Sequence, residues 1–434
     1  MKGNLKQQGL AMLIMVFMIV LALTAYMVSG LNSESLKRSR ESKTASVLEQ
    51  AKVALIGWSV AHPQFPGTMP FPDRNTDGDY DGNSDCVNAA TLDYPHLIGR
   101  LPYATQTAPC VGIGAAQYGL SDSFVDGEGE GLWYAVSRNL IRPAGLGALV
   151  INPATMNTPT FNWLIVRDKN GQVISNRVAA VIIAPGRVVA AQNRAGGIAG
   201  AAAYLDSAVV NGVPYSNVNY AVPNEDFIMA EDMQFVSNAH PSYGQPYQFN
   251  DKLIFITIDE LMLELEKRAV REARTALRAY YLASAPLAAN RFYPYATLLS
   301  DLNHTCIEST LAGGLPLDNV AATCSHPNVG LNAFLPAWFM ESQWHQFMYY
   351  VISADCSFAT PGCLAAGSIT AGTQANINAL LISTGAALAG QARPSNIPAN
   401  YLDSIENTDG DNVFDAIGTA LTNLYNDQML VVEP

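Results

Sequence analysis

Acidic and amide side chains crowd into one short segment, "DRNTDGDYDGNSD", which begins at residue 73. Oxygen-bearing side chains recur there at every second position, and Gly78 stands at the sixth position, where EF-hand loops need a sharp bend. The glutamate that closes an EF-hand loop is missing, because Ser84 stands at position twelve with Asp85 beside it. We expect a calcium loop of a non-EF or half-EF type; the alternative is a solvated Asp-Gly turn. The predicted ligands are Asp73, Asn75, Asp77, Asp79, Asp81 and Asp85.

A second acidic segment, "ENTDGDN", lies near the C-terminus and again places oxygen ligands at alternate positions. Its candidate calcium ligands are Asn407, Asp409 and Asp411. For a third segment, "DGEGEG" at residues 126–131, a turn leading into a strand is the favoured interpretation. Calcium is therefore the cofactor that the sequence predicts.

The motifs of common enzymes are missing from the sequence, which contains no H-E-x-x-H, G-x-S-x-G, S-x-x-K or P-loop pattern. Glu341 and His345 are four residues apart, so on a helix they would share a face and could form a catalytic pair. A structural pair is the favoured interpretation. The aromatic residues around them could bind a sugar or peptide if exposed, but core packing is favoured here too. These aromatic residues are Trp338, Phe339, Trp344, Phe347, Tyr349 and Tyr350. We expect a protein that is not an enzyme.

The first element along the chain is a long apolar segment near the N-terminus. Residues 10–30 carry no charge, and at about 1.5 Å per residue this run is long enough to cross a bilayer core of about 30 Å. The run exceeds the apolar region of about 7–15 residues that cleavable signal peptides contain. No proline follows before Pro63. The pattern therefore predicts one helix over residues 10–62, with its first half in the membrane.

The start of this segment resembles the type IV pilin and type II secretion pseudopilin superfamily. A short basic leader ends in Gly9, and Leu10-Ala11-Met12-Leu13 begin the apolar helix. The resemblance implies that a prepilin peptidase cuts between Gly9 and Leu10 and that the helix is retained. Most pilins carry a glutamate at the fifth mature position, where this chain has Ile14. Subunits without that glutamate resemble the minor members at filament tips. The alternative is a plain single-span anchor with a glycine placed by chance.

The rest of the chain contains an internal repeat. The segment "LEQAKVALIGWSVAH" at 48–62 aligns without a gap with "VREARTALRAYYLAS" at 270–284. Further matches follow in the same order: Pro72 with Pro294, "LWYAVS" with "MYYVIS", "VIIAPGRVVAAQNR" with "LLISTGAALAGQAR", "YLDS" with a second "YLDS", and "NDKLIFI" with "NDQMLVV". We interpret this order as a tandem duplication.

Each copy combines a helix with candidate strands, which is also the layout of a pilin headgroup. The predicted fold class is α+β: a long, partly transmembrane N-terminal helix followed by two tandem pilin-like helix-plus-antiparallel-sheet lobes. Residues 1–9 would form a basic leader, 10–62 the helix, and 63–258 the first headgroup with the Asp-rich calcium loop. Residues 259–434 would form the second headgroup, which begins with a helix at 259–283. "KNGQ" at 169–172 predicts a tight hairpin turn, since Asn-Gly suits two positive-φ positions.

The six cysteines fall as three pairs of near neighbours in the sequence, which favours disulfides formed in an oxidising compartment. The alternative is six inert buried thiols, and neighbour pairing is one of 15 connectivities. The three pairs are Cys86 with Cys110, Cys306 with Cys324, and Cys356 with Cys363. The net charge of −13 argues against nucleic acid as a partner, because phosphate binding needs a basic face.

Together these features predict a non-enzymatic minor pilin or pseudopilin-like subunit that assembles into a filament through its N-terminal helix. The implied partners are other pilin or pseudopilin subunits, a prepilin peptidase and the inner membrane. The implied location is a single-pass inner-membrane protein with a periplasmic domain, which later enters a periplasmic or cell-surface filament of a Gram-negative bacterium. The alternative is a membrane-anchored periplasmic enzyme or ligand-binding protein that has a pilin-type anchor.

Overall fold

The structure is a computed structural model of the 434-residue chain. It describes the chain except for residues 1–4, 75–78, 86–95, 105–118, 121, 143–148, 190–191, 195–199, 219–225, 230–233, 236–246, 319–323, 325–329, 364–366, 420–421, 423 and 434. The described helices are α1 (Leu5–Ala61), α2 (Pro153–Asn157), α3 (Ile258–Ser284) and α4 (Ala337–Glu341). Short 3₁₀ turns connect several of the strands.

Helix α1 extends over Leu5–Ala61 and has two different halves. In its first half, the large apolar side chains from Ile14 to Leu23 are all at least half exposed. In its second half, Thr44, Leu48, Ala51 and Leu55 are buried at spacings of three or four residues. This spacing gives one apolar stripe that faces the body of the protein. The second half is thus part of the core, whereas the described side chains of the first half project from it.

Among the residues that the structure describes, no helix has a stretch long and apolar enough to span a membrane. The predicted transmembrane half of residues 10–62 is therefore wrong. The prediction of a single-pass inner-membrane location is wrong for the same reason.

The first copy of the repeat contributes strands β1 to β10. Their bounds are β1 His96–Arg100, β2 Trp133–Ser137, β3 Leu164–Asp168, β4 Val173–Ala184, β5 Ser207–Val210, β6 Val213–Ser216, β7 Asp226–Met229, β8 Gln234–Phe235, β9 Tyr247–Gln248 and β10 Lys252–Thr257. Strands β1, β2, β4 and β10 pair antiparallel in that order. Strand β4 is long enough to pair with β3 through its first half as well, and β7 extends the sheet beyond β3. Gly171, with φ +80°, lies in the predicted Asn-Gly turn between β3 and β4, which confirms the hairpin.

The second copy contributes strands β11 to β17. Their bounds are β11 Ala312–Gly314, β12 Met348–Ile352, β13 Ile369–Ala371, β14 Gln374–Ile377, β15 Ala379–Ser383, β16 Val413–Phe414 and β17 Gln428–Val432. Strands β11, β12, β15 and β17 form an antiparallel sheet in that order. This order repeats that of β1, β2, β4 and β10, so the described strands show the duplication that the sequence predicts.

Helix α3 begins the second copy and confirms the helix predicted at 259–283. Thr257 caps it, because its hydroxyl accepts the N–H of Glu260 at 3.1 Å while the Glu260 carboxylate accepts the N–H of Thr257 at 2.9 Å. This capping box satisfies two backbone donors that a helix start leaves unpaired. The buried side chains that recur along one face include Leu261, Leu265, Ala269, Ala273 and Leu277.

The two copies share one hydrophobic core instead of forming separate lobes in series. Buried residues of α1, α3 and both sheets belong to the same cluster. Polar contacts also join the helices: Lys52 Nζ lies 2.7 Å from Glu260 Oε1, and Arg268 Nη1 donates to the His62 carbonyl at 2.9 Å. The predicted fold class is therefore wrong in its transmembrane helix, and the two tandem lobes that it places in series share this core. Both repeats are sheet-rich, and helix α1 of the first copy packs against helix α3 of the second.

Candidate functional sites

The first predicted calcium loop is described only in part, because Asn75 and Asp77 lie outside the described residues. Asp73 and Asp85 are buried, and the carboxylate of each accepts a hydrogen bond from a backbone N–H group. Asp73 Oδ2 accepts the Gly82 N–H at 2.8 Å, and Asp85 Oδ2 accepts the Arg74 N–H at 2.8 Å. These bonds close the loop at its base. Asp79 and Asp81 are exposed above it.

The second predicted calcium loop has a different geometry from a cation site. Asn407 is buried, and its amide donates to Asp427 Oδ2 at 3.0 Å while its side-chain oxygen accepts the Asp415 N–H at 2.9 Å. Asp409 and Asp411 are exposed, and each accepts a backbone N–H two residues further along the chain. The structure does not bring these three residues together as ligands. In the described part of the chain, no three His, Cys, Asp or Glu side chains are grouped so as to hold a metal ion. Calcium binding stays a prediction.

The aromatic segment around His345 is core, as favoured from the sequence. Helix α4 ends at Glu341, which is exposed, and His345 lies in the following 3₁₀ turn, so the two do not share a helical face. His345 packs its ring edge-to-face against His304, with ring centroids 4.7 Å apart. Burial and the neighbouring His304 lower the pKa of His345 to about 3. The six aromatic side chains of the segment are all buried: Trp338, Phe339, Trp344, Phe347, Tyr349 and Tyr350.

The "DGEGEG" segment forms the favoured turn and holds the second half of α1. Asp126 Oδ1 accepts the N–H groups of Glu128 and Glu130 at 2.8 and 2.9 Å, which shapes the turn. The Gly127 N–H donates to Thr44 Oγ1 on α1 at 2.9 Å, and Arg40 pairs with Glu128 at 2.9 Å. A Cβ at Gly127 would come within 2.1 Å of the Arg40 carbonyl oxygen. Glycine is thus required for this close approach to the helix.

A buried carboxylate network joins the start of β5 to the start of β10. Asp206 and Asp251 each accept the backbone N–H of the other, at 3.2 and 2.8 Å, and both are fully buried. Gln192 donates to Asp206 Oδ1 at 2.8 Å, and Asn217 donates to Asp251 Oδ2 at 3.1 Å. Arg194 completes the network by donating to Gln192 Oε1 at 2.6 Å.

The second copy builds the same network from the corresponding residues. Asp403 donates its N–H to Asp427 Oδ2 at 3.0 Å, and Gln391 donates to Asp403 Oδ1 at 2.9 Å. Asn407 takes the place of Asn217 on Asp427. Arg393 donates to Gln391 Oε1 at 2.9 Å. We call the two sets the first and second carboxylate networks.

In each network the arginine guanidinium is held in the same way. Arg194 lies over the ring of Tyr204 and Arg393 lies over the ring of Tyr401, each 4.8 Å from the ring centroid. Cation–π contacts of this kind suit a guanidinium that has lost part of its water shell. Burial accordingly lowers the pKa of Arg393, although the ring of Tyr401 and the nearby acids oppose this effect.

Each network contains more carboxyl groups than guanidinium groups. Burial and the charge of Asp403 raise the pKa of Asp427 to about 7, and burial and Asp206 raise the pKa of Asp251 well above its usual value. In both networks one oxygen of this aspartate, Oδ1, lacks a hydrogen-bond partner in the described structure. A neutral carboxyl is favoured where a buried oxygen finds no donor, because an unpaired buried charge is costly.

The second network has an additional acid, Glu266 of α3. Its Oε2 accepts Gln428 Nε2 at 2.7 Å, and the side chain is buried. Burial and, to a smaller extent, the charge of Asp427 raise the pKa of Glu266 to about 8 against the opposing effects of Gln428 and Arg393. The gap-free alignment of the two helices places Thr44 opposite Glu266. The first network has a different third acid, Glu130, whose Oε1 lies 3.2 Å from Arg194 Nη1.

The hydrogen bonds of these networks connect the segments that precede the last strand of each copy, β10 and β17. Asp206, Asp251 and Asp427 are buried, whereas Asp403 is partly exposed. The sequence contains the signal for them: Gln-x-Arg, Tyr-Leu-Asp-Ser and Asn-Asp occur in both copies. Residues that are identical in both copies and polar are the ones that the structure brings together.

Two of the predicted disulfides are present, Cys306–Cys324 and Cys356–Cys363. Cys86 and Cys110 lie outside the described residues, so their predicted bond stays a prediction. Both observed bonds join neighbours in sequence, as expected, and they are consistent with an oxidising compartment. Gly9 and Leu10 lie within α1, and the structure describes their backbone as helical.

Comparison of the chain with models of known protein families, with curated proteins and with solved structures finds no match.

Proposed function

We propose that this protein is a non-enzymatic, pilin-like filament subunit whose N-terminal helix packs against the helices of other subunits. The observation that supports the proposal is the division of α1 into a buried second half and an exposed apolar first half. A helix with this division is fixed to its own body at one end and offers the other end to neighbours.

The exposed half of α1 is apolar on all sides and not along one stripe. The side chains of residues 14–21 are all large and apolar, and each of them is at least 50% exposed. A helix that is apolar all round is normally buried within a larger structure. Complete burial of a Leu, Ile, Phe or Met side chain contributes about 1.5–3 kcal/mol, so covering this segment provides a large driving force for association. One flat partner would cover only part of it, whereas several parallel helices in a filament would cover all of it.

The body of the protein fits a position at the end of a filament better than one within a closely packed shaft. Two sheets and the second helix belong to a single body attached to one N-terminal helix. Ile14, where most pilins have a glutamate, leaves this helix without an acidic group that could neutralise the terminal amine of a preceding subunit. A subunit with no neighbour ahead of it does not need that group. We therefore assign the protein to the minor, tip-located class.

The proposal predicts that a prepilin peptidase removes residues 1–9. The test is to produce the protein with and without such a peptidase and to measure the intact mass and the N-terminal sequence. A mature chain that begins at Leu10 only when the peptidase is present would support the proposal. An N-terminus at Met1 in both samples would contradict it.

A further inference from the structure

An exposed turn in the second copy presents one asparagine in a defined way. Asp301 Oδ1 accepts the N–H of Asn303 at 3.0 Å, and its Oδ2 accepts the N–H of Thr305 at 2.9 Å. His304, between them, adopts a left-handed conformation with φ +52° and is buried. Its Nδ1 lies 2.8 Å from the Leu315 carbonyl oxygen. Because His304 anchors the turn from below, Asn303 stands exposed at its apex.

The amide of Asn303 has no hydrogen-bond partner among the described residues, although its neighbours in the turn are well paired. An exposed asparagine usually gains a local backbone contact in such turns. Here Asp301 supplies the contacts that shape the turn. The Asn303 side chain is therefore not needed for the structure and remains free to react.

The sequence "DLNHT" at residues 301–305 completes an Asn-x-Thr acceptor with a residue other than proline at the middle position. It is the only Asn-x-Ser or Asn-x-Thr sequence with a non-proline middle residue in the 434-residue chain. The next residue, Cys306, forms a disulfide with Cys324. This bond indicates that the turn folds in an oxidising compartment, outside the cytosol, where acceptor sequences of this kind are modified.

Three large apolar side chains are exposed on the surface around the turn. Leu298 and Leu302 are 45% and 61% exposed, and Ile397 is 61% exposed. The Ser300 N–H donates to Asn396 Oδ1 at 2.9 Å, which places Ile397 beside the same turn. Exposed apolar side chains grouped in this way favour self-association unless something covers them.

We propose that Asn303 is an N-linked glycosylation site. The co-substrate is an oligosaccharide carried on a lipid pyrophosphate, and the reaction requires an oligosaccharyltransferase. Asn303 Nδ2 forms a bond to C1 of the first sugar while the bond between C1 and the pyrophosphate oxygen breaks. The lipid pyrophosphate leaves with the bonding electrons, and the amide gives one proton to a base of the transferase. The glycan covers the apolar rim formed by Leu298, Leu302 and Ile397.

The chain contains a matched control in the β3–β4 hairpin. Asp168 Oδ1 accepts the N–H groups of Asn170 and Gln172 at 2.9 and 2.8 Å, much as the two oxygens of Asp301 accept those of Asn303 and Thr305, and the Asn170 amide also donates to Asp168 Oδ2 at 3.3 Å. Asn170 is exposed as well. This turn, "DKNGQ", differs from an acceptor by the missing hydroxyl at its last residue. The substitution Gln172→Thr supplies it.

The test is to produce the full chain in cells whose transferase and lipid-linked glycan modify a reference acceptor protein, and then to measure intact mass and glycopeptides. We expect one glycan per chain, attached to Asn303. It should disappear in Asn303→Gln and in Thr305→Ala, persist in Thr305→Ser, and return at Asn170 in the double variant Asn303→Gln/Gln172→Thr.

An unmodified wild-type chain in these cells would overturn the proposal, most directly if the Gln172→Thr variant carries a glycan on Asn170. Circular dichroism of each purified variant establishes that it is folded. Asn303→Gln removes the acceptor independently if Thr305→Ala lowers the yield. The readout is independent of filament assembly, so failure of the proposed function leaves this test intact.

Discussion

Replacing Glu266 with glutamine should make the protein more stable at alkaline pH. Glu266 is 5% exposed, and its pKa is raised from 4.5 to about 8 because burial disfavours the charged form. Above pH 8 the folded protein therefore holds a buried charge close to Asp427. Glutamine has nearly the same shape and keeps an oxygen that can accept the Gln428 amide, but it never becomes charged.

The magnitude follows from the shift in proton affinity. Each tenfold change in proton affinity corresponds to about 1.4 kcal/mol, so a pKa that moves from 4.5 to about 8 corresponds to at most about 5 kcal/mol. Water entry and relaxation around a buried charge reduce this limit. We expect Glu266→Gln to raise the free energy of unfolding by about 2–5 kcal/mol above pH 8 relative to its effect at acid pH.

The contribution of the Glu266 carboxyl to the free energy of unfolding depends on pH. Below pH 4.5 the side chain is protonated in both the folded and the unfolded chain, so it adds no pH dependence. Between pH 4.5 and about 8 only the folded chain keeps the proton, so wild-type stability falls as the pH rises. Above about pH 8 both states are charged and the loss is complete. The glutamine variant lacks this contribution, and the difference between the two proteins grows through the same window.

The assay is urea unfolding with intact disulfides, followed by tryptophan fluorescence at about pH 5 and about pH 8.5. Glu264→Gln is the matched control on the same helix, because the Glu264 side chain is 41% exposed and pairs with Lys267 at 2.6 Å. Loss of an exposed pair changes stability by no more than about 1 kcal/mol. If Glu266→Gln changes stability equally at both pH values, or lowers it at about pH 8.5, the assignment of a buried, protonated Glu266 is refuted.

Two further predictions concern the loops and disulfides. Calcium should raise the melting temperature. The variant Asp79→Ala/Asp81→Ala should abolish that increase, measured against the same variant in EDTA because it also removes the bonds from Asn83 to Asp81; an unchanged response to calcium would exclude these ligands. Replacing Cys356 and Cys363 with serine should lower the free energy of unfolding by about 2 kcal/mol, because the disulfide closes a short loop with a sequence separation of 7. Urea unfolding measures this loss. A loss below about 0.5 kcal/mol would show that packing mainly holds the loop.

Local patterns predicted the parts of the fold that depend on neighbouring residues in the sequence. The Asn170-Gly171 hairpin, helix α3 and the two described disulfides all follow from short-range signals. The duplication was predicted because the two copies keep the same order of helix, strand and turn motifs. The strand order β11-β12-β15-β17 repeats that of the first copy for this reason.

The errors concern features that depend on tertiary contacts. No pattern indicates that α1 and α3 would pack against each other, so separate lobes were predicted where one shared core exists. The alternate spacing that favours Asn407 as a calcium ligand, which stays a prediction, likewise does not indicate that its amide donates to Asp427, twenty residues later in the sequence. The spacing of residues in a loop indicates which side chains could bind the same cation. It does not indicate which residue, distant in sequence, forms hydrogen bonds with them instead.

The buried networks show what a repeat can add to a single sequence. Taken singly, Arg194, Arg393, Asp251 and Asp427 give no indication in the sequence of the contacts that they make. Identity between the copies at buried polar positions indicates a shared set of contacts, and the hydrogen bonds of the two networks correspond closely. Glu266 could not be recognised in this way, because the first copy has Thr44 at that position.

The most direct test of the proposed function is whether the exposed half of α1 drives assembly. Phe17 and Leu21 are 62% and 50% exposed in this half, and Val53, which is 67% exposed on the second half of the same helix, provides the control. Sedimentation velocity and electron microscopy of the purified protein should show ordered assemblies for the wild type and for Val53→Asp, but dispersed subunits for Phe17→Asp/Leu21→Asp. Assemblies that persist in Phe17→Asp/Leu21→Asp, or that disappear in Val53→Asp alone, would contradict the proposed role of the N-terminal helix.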